Sequence, residues 1–157
     1  VGKKDNISNF GTYAVNSLRM EKAYRGWGAE LTGEISLVEA GMDRFFNLNK
    51  KSNFIGSEIL REKLQSGVAI KIVYLELDVS DADARGNEPV YHNNKIVGVV
   101  TSGAYGFRVN KSFAFAYVQA ELVKDETEFL VKIQGQKRKA KILNTPAYDP
   151  QNKKLKS

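Results

Sequence analysis

The sequence contains no cysteine, so disulfide bonds, thiol catalysis and cysteine-based metal sites are excluded. Its single histidine, His92, lies beside a predicted turn, and one histidine cannot build a histidine-rich zinc site. The acidic residues Asp81, Asp83 and Glu88 share one predicted loop, but their spacing matches no known order of cation ligands. We therefore interpret all four side chains as solvated and predict no metal site.

Three further classes of protein are excluded by motifs that the sequence lacks. No glycine-rich phosphate loop or dinucleotide fingerprint is present, and no serine–histidine–aspartate set can be assembled. No apolar run approaches the ~20 residues of a membrane span, so we expect no membrane partner. The absence of cysteine fits a cytoplasmic protein, or the mitochondrial matrix if the protein is eukaryotic.

The composition is globular, with an excess of positive charge. Of 157 residues, 42% are hydrophobic and 27% are charged, which suits one ordinary domain or two small ones. The net charge is +6, and lysine and arginine concentrate at positions 137–141 and in the tail 151–157. We interpret these clusters as a solvated surface and a flexible basic tail. An oligonucleotide-binding barrel remains the less favoured alternative.

The second half of the sequence has the period-two alternation of β-strands. The pattern predicts strands over residues 69–77, 90–92, 95–100, 129–133 and 138–143, with a tight turn at Asn93-Asn94. Residues 101–104 are small and predict a loop before the next strand. In that strand aromatic residues alternate with small ones, and we expect the aromatic face to line the interior of a small antiparallel β-barrel: Phe113, Phe115 and Tyr117.

The first 68 residues predict a short α+β segment. Helical periodicity runs over residues 9–24 and 55–64, and residues 37–48 suggest a turn followed by a strand. We expect the first helix to bury Phe10, Ala14, Leu18 and Met20. These few side chains do not make an independent core, so we expect this helix to contact the N-terminal remainder of a longer polypeptide or a partner subunit. The predicted units are residues 1–68, 69–150 and 151–157.

Several stretches in order resemble the glycine-cleavage T-protein (aminomethyltransferase) superfamily. They are residues 14–30 (AVNSLRMEKAYRGWGAE), 38–41 (VEAG), 53–56 (NFIG), 98–105 (GVVTSGAY) and 111–118 (KSFAFAYV). The first stretch is more similar to the FAD-dependent dimethylglycine and sarcosine dehydrogenases than to free T-protein. The resemblance implies the C-terminal part of such a protein: a remnant of the folate-binding domain over residues 1–68, followed by the barrel.

The resemblance also implies a function. Such enzymes oxidise an N-methyl group with FAD and pass the one-carbon unit to tetrahydrofolate. No stretch matches the family's catalytic aspartate, its folate-holding glutamate or a flavin fold, so we expect no catalytic residue here, and FAD only in the parent protein. The family's first folate-contacting arginine is replaced by Val15, and an aromatic contact is replaced by Arg44. The expected folate contacts are Arg44, Trp27 and Tyr105.

One alternative stays open within the same family. The family contains non-catalytic regulatory relatives, and the replacements at Val15 and Arg44 are compatible with a binding or regulatory barrel module.

Overall fold

A computed structural model describes residues 2–156 as a six-stranded barrel with two helices, the first of which packs on the barrel. The helices are α1 (Thr12–Glu21) and α2 (Ser57–Ser66). Short 3₁₀ turns occupy Lys3–Asp5, Asp43–Phe45 and Ala120–Leu122. The strands are β1 (Ile70–Leu77), β2 (Pro89–His92), β3 (Lys95–Gly106), β4 (Lys111–Gln119), β5 (Phe129–Ile133) and β6 (Gln136–Ile142). The α+β prediction is confirmed. No helix within residues 2–156 has the length and apolar content to cross a membrane.

The barrel is closed and antiparallel throughout, in the order β1-β4-β3-β2-β5-β6. The predicted hairpin turn between β2 and β3 is confirmed, since Asn93 and Asn94 have φ of 48° and 61°. Gln134 and Gly135 repeat this left-handed pair between β5 and β6, with φ of 47° and 83°. Asparagine and glycine tolerate this conformation, which matches the twist of the joined strands.

The predicted loop at residues 101–104 is wrong, because β3 continues through it to Gly106. The pairing of β3 with β4 shifts between Val100 and Ser102, so a bulge lies at Thr101. The small residues serve close approach instead of a bend. A Cβ on Gly103 would overlap the carbonyl of Ala84, whose segment crosses β3 at this point.

The face of β4 expected to be interior is the outer one. Ala114, Ala116 and Val118 belong to the cluster that fills the barrel. Phe113 and Phe115 instead lie outside it, fully buried in a second cluster with Met20 of α1. A small barrel has room only for small side chains at this strand, so the bulky rings face outward and need a cover.

That cover is α1, whose buried face also differs from the prediction. Ser17, Met20 and Glu21 are the buried residues of the helix. Phe10, just before α1, is 70% exposed and Leu18 is 53% exposed. Ala14 is exposed as well. Periodicity located the helix, but the more apolar stripe is not the side that packs on the barrel, because two polar residues of the packed side find hydrogen-bond partners there.

Residues 37–48 lie beside the first half of β1, which does not pair with β6. Residues 37–48 form turns and a 3₁₀ turn, so the predicted strand there is wrong. β6 pairs only with Leu75 to Leu77, and the first half of β1 finds other partners: Ile72 N donates to Glu39 O at 2.9 Å. The backbone of this segment bonds mainly within its own turns, with this one bond to the barrel, so it needs no strand partner.

Candidate ligand-binding site

A fully buried carboxylate joins two of the sequence motifs singled out above. Glu30 Oε2 accepts hydrogen bonds from Arg19 Nη1 at 3.0 Å and from Gly26 N at 2.7 Å. Its Oε1 accepts from Thr101 Oγ1 at 2.7 Å and from the Ser102 hydroxyl. The stretch 14–30 is therefore bound to the stretch 98–105 through one side chain. Burial of such a charge is tolerated because every lone pair has a donor.

The backbone of Glu30 is fastened as well. Tyr117 Oη donates to Glu30 O at 2.8 Å. Burial, together with the nearby Glu30 charge, raises the pKa of Tyr117 to about 12. A hydroxyl that stays protonated remains a hydrogen-bond donor, so this contact between the loop and the outer face of β4 persists at neutral pH.

Helix α1 is bound to β3 by polar side chains of its inner side. Asn16 Nδ2 donates to Gly103 O at 3.0 Å, and Ser17 Oγ donates to Tyr105 O at 2.6 Å. Glu21, which is 2% exposed, accepts from Arg108 N at 2.6 Å. The helix, the second half of β3 and the turn that follows it therefore form one fixed unit.

The opposite side of α1 presents an apolar surface without cover. Val15 is 46% exposed and Leu18 is 53% exposed, with Ala14 beside them. Tyr13 is 88% exposed at the start of the helix. Val15 occupies the position where the resemblance implies a folate-contacting arginine, and it lies on this surface. A helix with one packed side and a second apolar side is typical of an element buried between two bodies.

Arg44 lies at a cleft with a volume of about 240 Å³ on the outer side of the barrel. Its guanidinium stacks over the Phe45 ring, with Cζ 4.8 Å from the ring centroid. Arg25 lines the same cleft and lies over the ring of Phe115 at 5.5 Å. Burial, and secondarily the like charge of Arg44, lowers the pKa of Arg25. Two guanidinium groups thus face one small cavity.

The three expected folate contacts lie at separate points of the described surface. Trp27 is 81% exposed in the loop after α1. Tyr105 is half-buried on β3, with its ring edge-on to Phe107 at a centroid distance of 5.0 Å. No hydrogen bond, ion pair or ring contact joins Arg44, Trp27 or Tyr105 to one another within residues 2–156. A ligand that reaches all three would have to span the surface between them.

The residues interpreted as solvated are held by ordinary contacts. Asp81 pairs with Arg138 at 2.6 Å, and Asp83 Oδ1 accepts from Ser112 Oγ at 2.6 Å. His92 ends β2, where its Nδ1 lies 2.9 Å from Glu128 O. Within the described residues no group of three or more histidine, aspartate or glutamate side chains can hold a metal ion.

This fold and these motifs define a class of protein. Residues 71–149 match the glycine cleavage T-protein C-terminal barrel domain, and residues 1–50 match the GCVT N-terminal domain. The chain belongs to the glycine cleavage T-protein family, as the resemblance implies. The order of the two matches agrees with the order of the helical segment and the barrel.

Individual members of the family and one solved structure are similar to this chain. The mitochondrial dimethylglycine dehydrogenases of Rattus norvegicus and Homo sapiens are each 41% identical over 145 residues, which is 92% of this chain but 17% of theirs. An aminomethyltransferase from Geobacillus sp. (strain WCH70) is 31% identical over 94% of this chain and 40% of its own length. The crystal structure of glycine cleavage system aminomethyltransferase T from Bartonella henselae superposes with a TM-score of 0.79 at 25% identity, over 87% of this chain and 38% of that one. The chain thus spans less than half of each of these relatives.

Sequence reasoning missed two residues of this candidate site, Glu30 and Arg25. Glu30 closes the stretch 14–30 but follows no period that marks it as buried. Arg25 lies just beyond the helix predicted over residues 9–24, which in fact ends at Glu21. A carboxylate set among Trp27, Ala29 and Leu31 was the available signal for Glu30, since a charge in apolar surroundings needs a partner.

Proposed function

We propose that this chain is the C-terminal, folate-site portion of a dimethylglycine or sarcosine dehydrogenase-like protein, or of an aminomethyltransferase, that transfers a one-carbon unit from an N-methylamine to tetrahydrofolate. The observation that carries the proposal is the joining of the two family regions through Glu30, Thr101 and Ser102. The dimethylglycine dehydrogenases that are 41% identical support the choice of parent protein.

The residues present fit part of a folate site. Trp27 offers an exposed ring for stacking, and Arg44 offers a guanidinium for an aromatic ring or a carboxylate. Glu30 already accepts four hydrogen bonds from protein groups, and Glu21 is 2% exposed and accepts from Arg108 N, so neither buried carboxylate is open to a pterin. We therefore assign one wall of the site to this chain, with Arg44, Trp27 and Tyr105 as contacts and no catalytic residue.

The remaining assignments follow from the same proposal. Residues 1–68 are the end of the folate-binding domain, residues 69–150 the barrel domain and residues 151–157 a basic tail, of which Asn152 accepts from Lys22 Nζ at 2.6 Å. The described residues form two helices and an antiparallel barrel, so we assign FAD to another part of the parent protein. The names of the mammalian relatives include the word mitochondrial, and we propose the mitochondrial matrix in a eukaryote and the cytoplasm otherwise.

The exposed apolar side of α1 is the evidence that another protein segment packs against the N-terminal half of the chain. Val15 and Leu18 are exposed there, and the family relatives extend well beyond the matched segment. We propose that this surface packs against the N-terminal remainder of the same polypeptide, or against a partner subunit. A non-catalytic binding module of the same family is the second candidate, favoured by the aliphatic Val15 and the non-aromatic Arg44 at two positions where the family contacts folate.

Trp27 makes the proposal testable, because it is the only tryptophan. Titration with 5-formyltetrahydrofolate should quench its fluorescence in a saturable way, weakly because only one wall is present. Arg44→Gln and Tyr105→Phe should weaken this binding. Tyr13→Phe is the matched control, since Tyr13 is exposed but is not a proposed contact. Absence of saturable quenching up to millimolar ligand would contradict the proposal.

A further inference from the structure

The cleft beside Arg44 carries positive charge without a matching acid. It lies between the turn that follows α1, the turn at residues 41–44 and the segment after β6. Its volume of about 240 Å³ is below the ~300–1,000 Å³ of cavities that enclose whole ligands, so it suits a single functional group. No aspartate or glutamate is among its lining residues, whereas three cations are: Lys22, Arg25 and Arg44.

Lys22 is fully engaged by the wall of the cleft. Its Nζ donates to Asp149 O at 2.7 Å and to Asn152 Oδ1 at 2.6 Å, with Asp149 Oδ2 at 3.7 Å. The side chain therefore fixes the segment after β6 against α1, and its charge is already paired. Lys22 shapes the cleft but offers little to a bound group.

The two arginines keep donors available. Arg25 uses Nε and Nη1 on the carbonyls of Ala40 and Ala23, at 3.2 and 3.1 Å, and its Nη2 makes no hydrogen bond to a described residue. Arg44 makes no hydrogen bond to a described residue and only stacks on Phe45. The carboxylate with a favourable electrostatic effect on Arg25 is that of Glu30, and it already accepts from four donors. The like-charge repulsion across the cleft is thus not relieved by a shared acid.

We propose that this cleft binds a carboxylate group, held by Arg25 Nη2 and the Arg44 guanidinium. Guanidinium N–H groups match the two oxygens of a carboxylate, and a bound anion removes the repulsion between the two arginines. An organic acid is a suitable occupant because apolar side chains line part of the wall, beside polar ones such as Asn144 and Thr145: Leu143, Pro146 and Pro150. Trp27 and Tyr105 do not line this cleft, and the inference does not require that the chain binds folate.

The test is a calorimetric titration of the 157-residue chain with glutarate, a simple dicarboxylate. We expect saturable binding and a rise in melting temperature, since a ligand of the folded state stabilises it. Arg44→Gln should weaken the affinity about tenfold, as expected when one charge-assisted hydrogen bond is lost. Arg44 is exposed, so this variant should fold. Arg85→Gln is the matched control, because Arg85 is exposed and lies outside the cleft, and it should bind as the wild type does.

Absence of saturable glutarate binding, or equal affinities for wild type and Arg44→Gln, overturns the proposal. A second pair of probes identifies the source of the carboxylate. If it comes from the glutamate tail of a folate, folic acid binds more tightly than pteroic acid, and Arg44→Gln removes that difference. If it comes from a small free acid, both pterins bind alike while glutarate still depends on Arg44. Failure of every pterin to bind would contradict the proposed function, whereas the glutarate result alone decides this cleft.

Discussion

The N-terminal segment and the barrel differ in how completely they bury their own apolar residues. Of the sixteen large hydrophobic residues that are exposed within residues 2–156, twelve lie before residue 69 and four after it. The barrel fills its interior with its own strands and has no free edge. The N-terminal segment packs one side onto the barrel and leaves the other uncovered. We infer that the barrel interior is complete by itself, that α1 covers the outer face at Phe113 and Phe115, and that the segment before the barrel lies between two bodies.

The largest expected effect comes from breaking the contact between these regions at Glu30. Glu30→Ala should lower the free energy of unfolding by about 3–5 kcal/mol, because it leaves the partners of a buried carboxylate unsatisfied. Urea denaturation followed by circular dichroism measures this loss. If that variant does not fold, Glu30→Gln should show a smaller loss of the same kind. Glu34→Gln is the control, since Glu34 is exposed and should change stability little. Equal stabilities for the two positions would mean that Glu30 does not join the regions.

A second prediction compares the two sides of α1. Met20→Ala should cost about 2–5 kcal/mol, since Met20 is fully buried against the outer face of the barrel. Leu18→Ala should change the stability of the isolated chain by less than about 0.5 kcal/mol, since Leu18 is 53% exposed. Thermal or urea unfolding of both variants measures the difference. A large loss for Leu18→Ala in a monomeric chain would show that this side of the helix is already covered.

The contrast between the filled barrel interior and the uncovered side of α1 can be tested with one substitution at each place. Ala116 points into the filled interior opposite the outward Phe115, so Ala116→Leu should cost about 1–3 kcal/mol through overpacking. Ala14→Leu adds the same atoms to the exposed side of α1 and should be nearly neutral. Urea midpoints at constant m-value measure both effects. Tolerance of leucine at Ala116 would mean that the barrel interior is not filled as described.

The smallest effect is a pH dependence at the contact between the regions. The pKa of Tyr117 is raised from 10.0 to about 12, so the unfolded chain loses this proton at lower pH than the folded one. The contribution of this raised pKa to the free energy of unfolding is fully present below about pH 10 and is lost as pH rises towards about 12. Denaturation across this range should show a steeper loss in the wild type than in Tyr117→Phe. Identical slopes would show that the hydroxyl is not buried in this contact.

Much of the fold follows from local pattern. The alternation over residues 70–77 and 129–133 and the paired asparagines at the first hairpin predict strands and turns that the structure confirms. These features are encoded by neighbours in sequence, because strand period and left-handed turn residues act over a few positions. The two helices are of the same kind, predicted over residues 9–24 and 55–64 and found at Thr12–Glu21 and Ser57–Ser66.

Two errors concern element type, the loop predicted at residues 101–104 and the strand predicted within residues 37–48, and the others concern which face of an element is buried. Period two showed that aromatic and small residues of β4 lie on opposite faces, but only closure of the barrel decides that Ala114 and Ala116 face inward and Phe115 outward. The same holds for α1, where the packed side contains Ser17 and Glu21 instead of the more apolar stripe. Which face is inner depends on what the chain packs against, and that is not local information.

The sequence by itself determined the family and the positions of most strands in the second half, and it gave the expectation that the first half packs against a further partner. The tertiary structure alone decided that Glu30 meets Thr101 and Ser102, and that Arg25 and Arg44 share one cleft. The residues of the Glu30 contact lie about seventy positions apart, and their spacing carries no signal. Only a barrel that folds back on the helical segment brings those charges and hydroxyls within hydrogen-bonding distance.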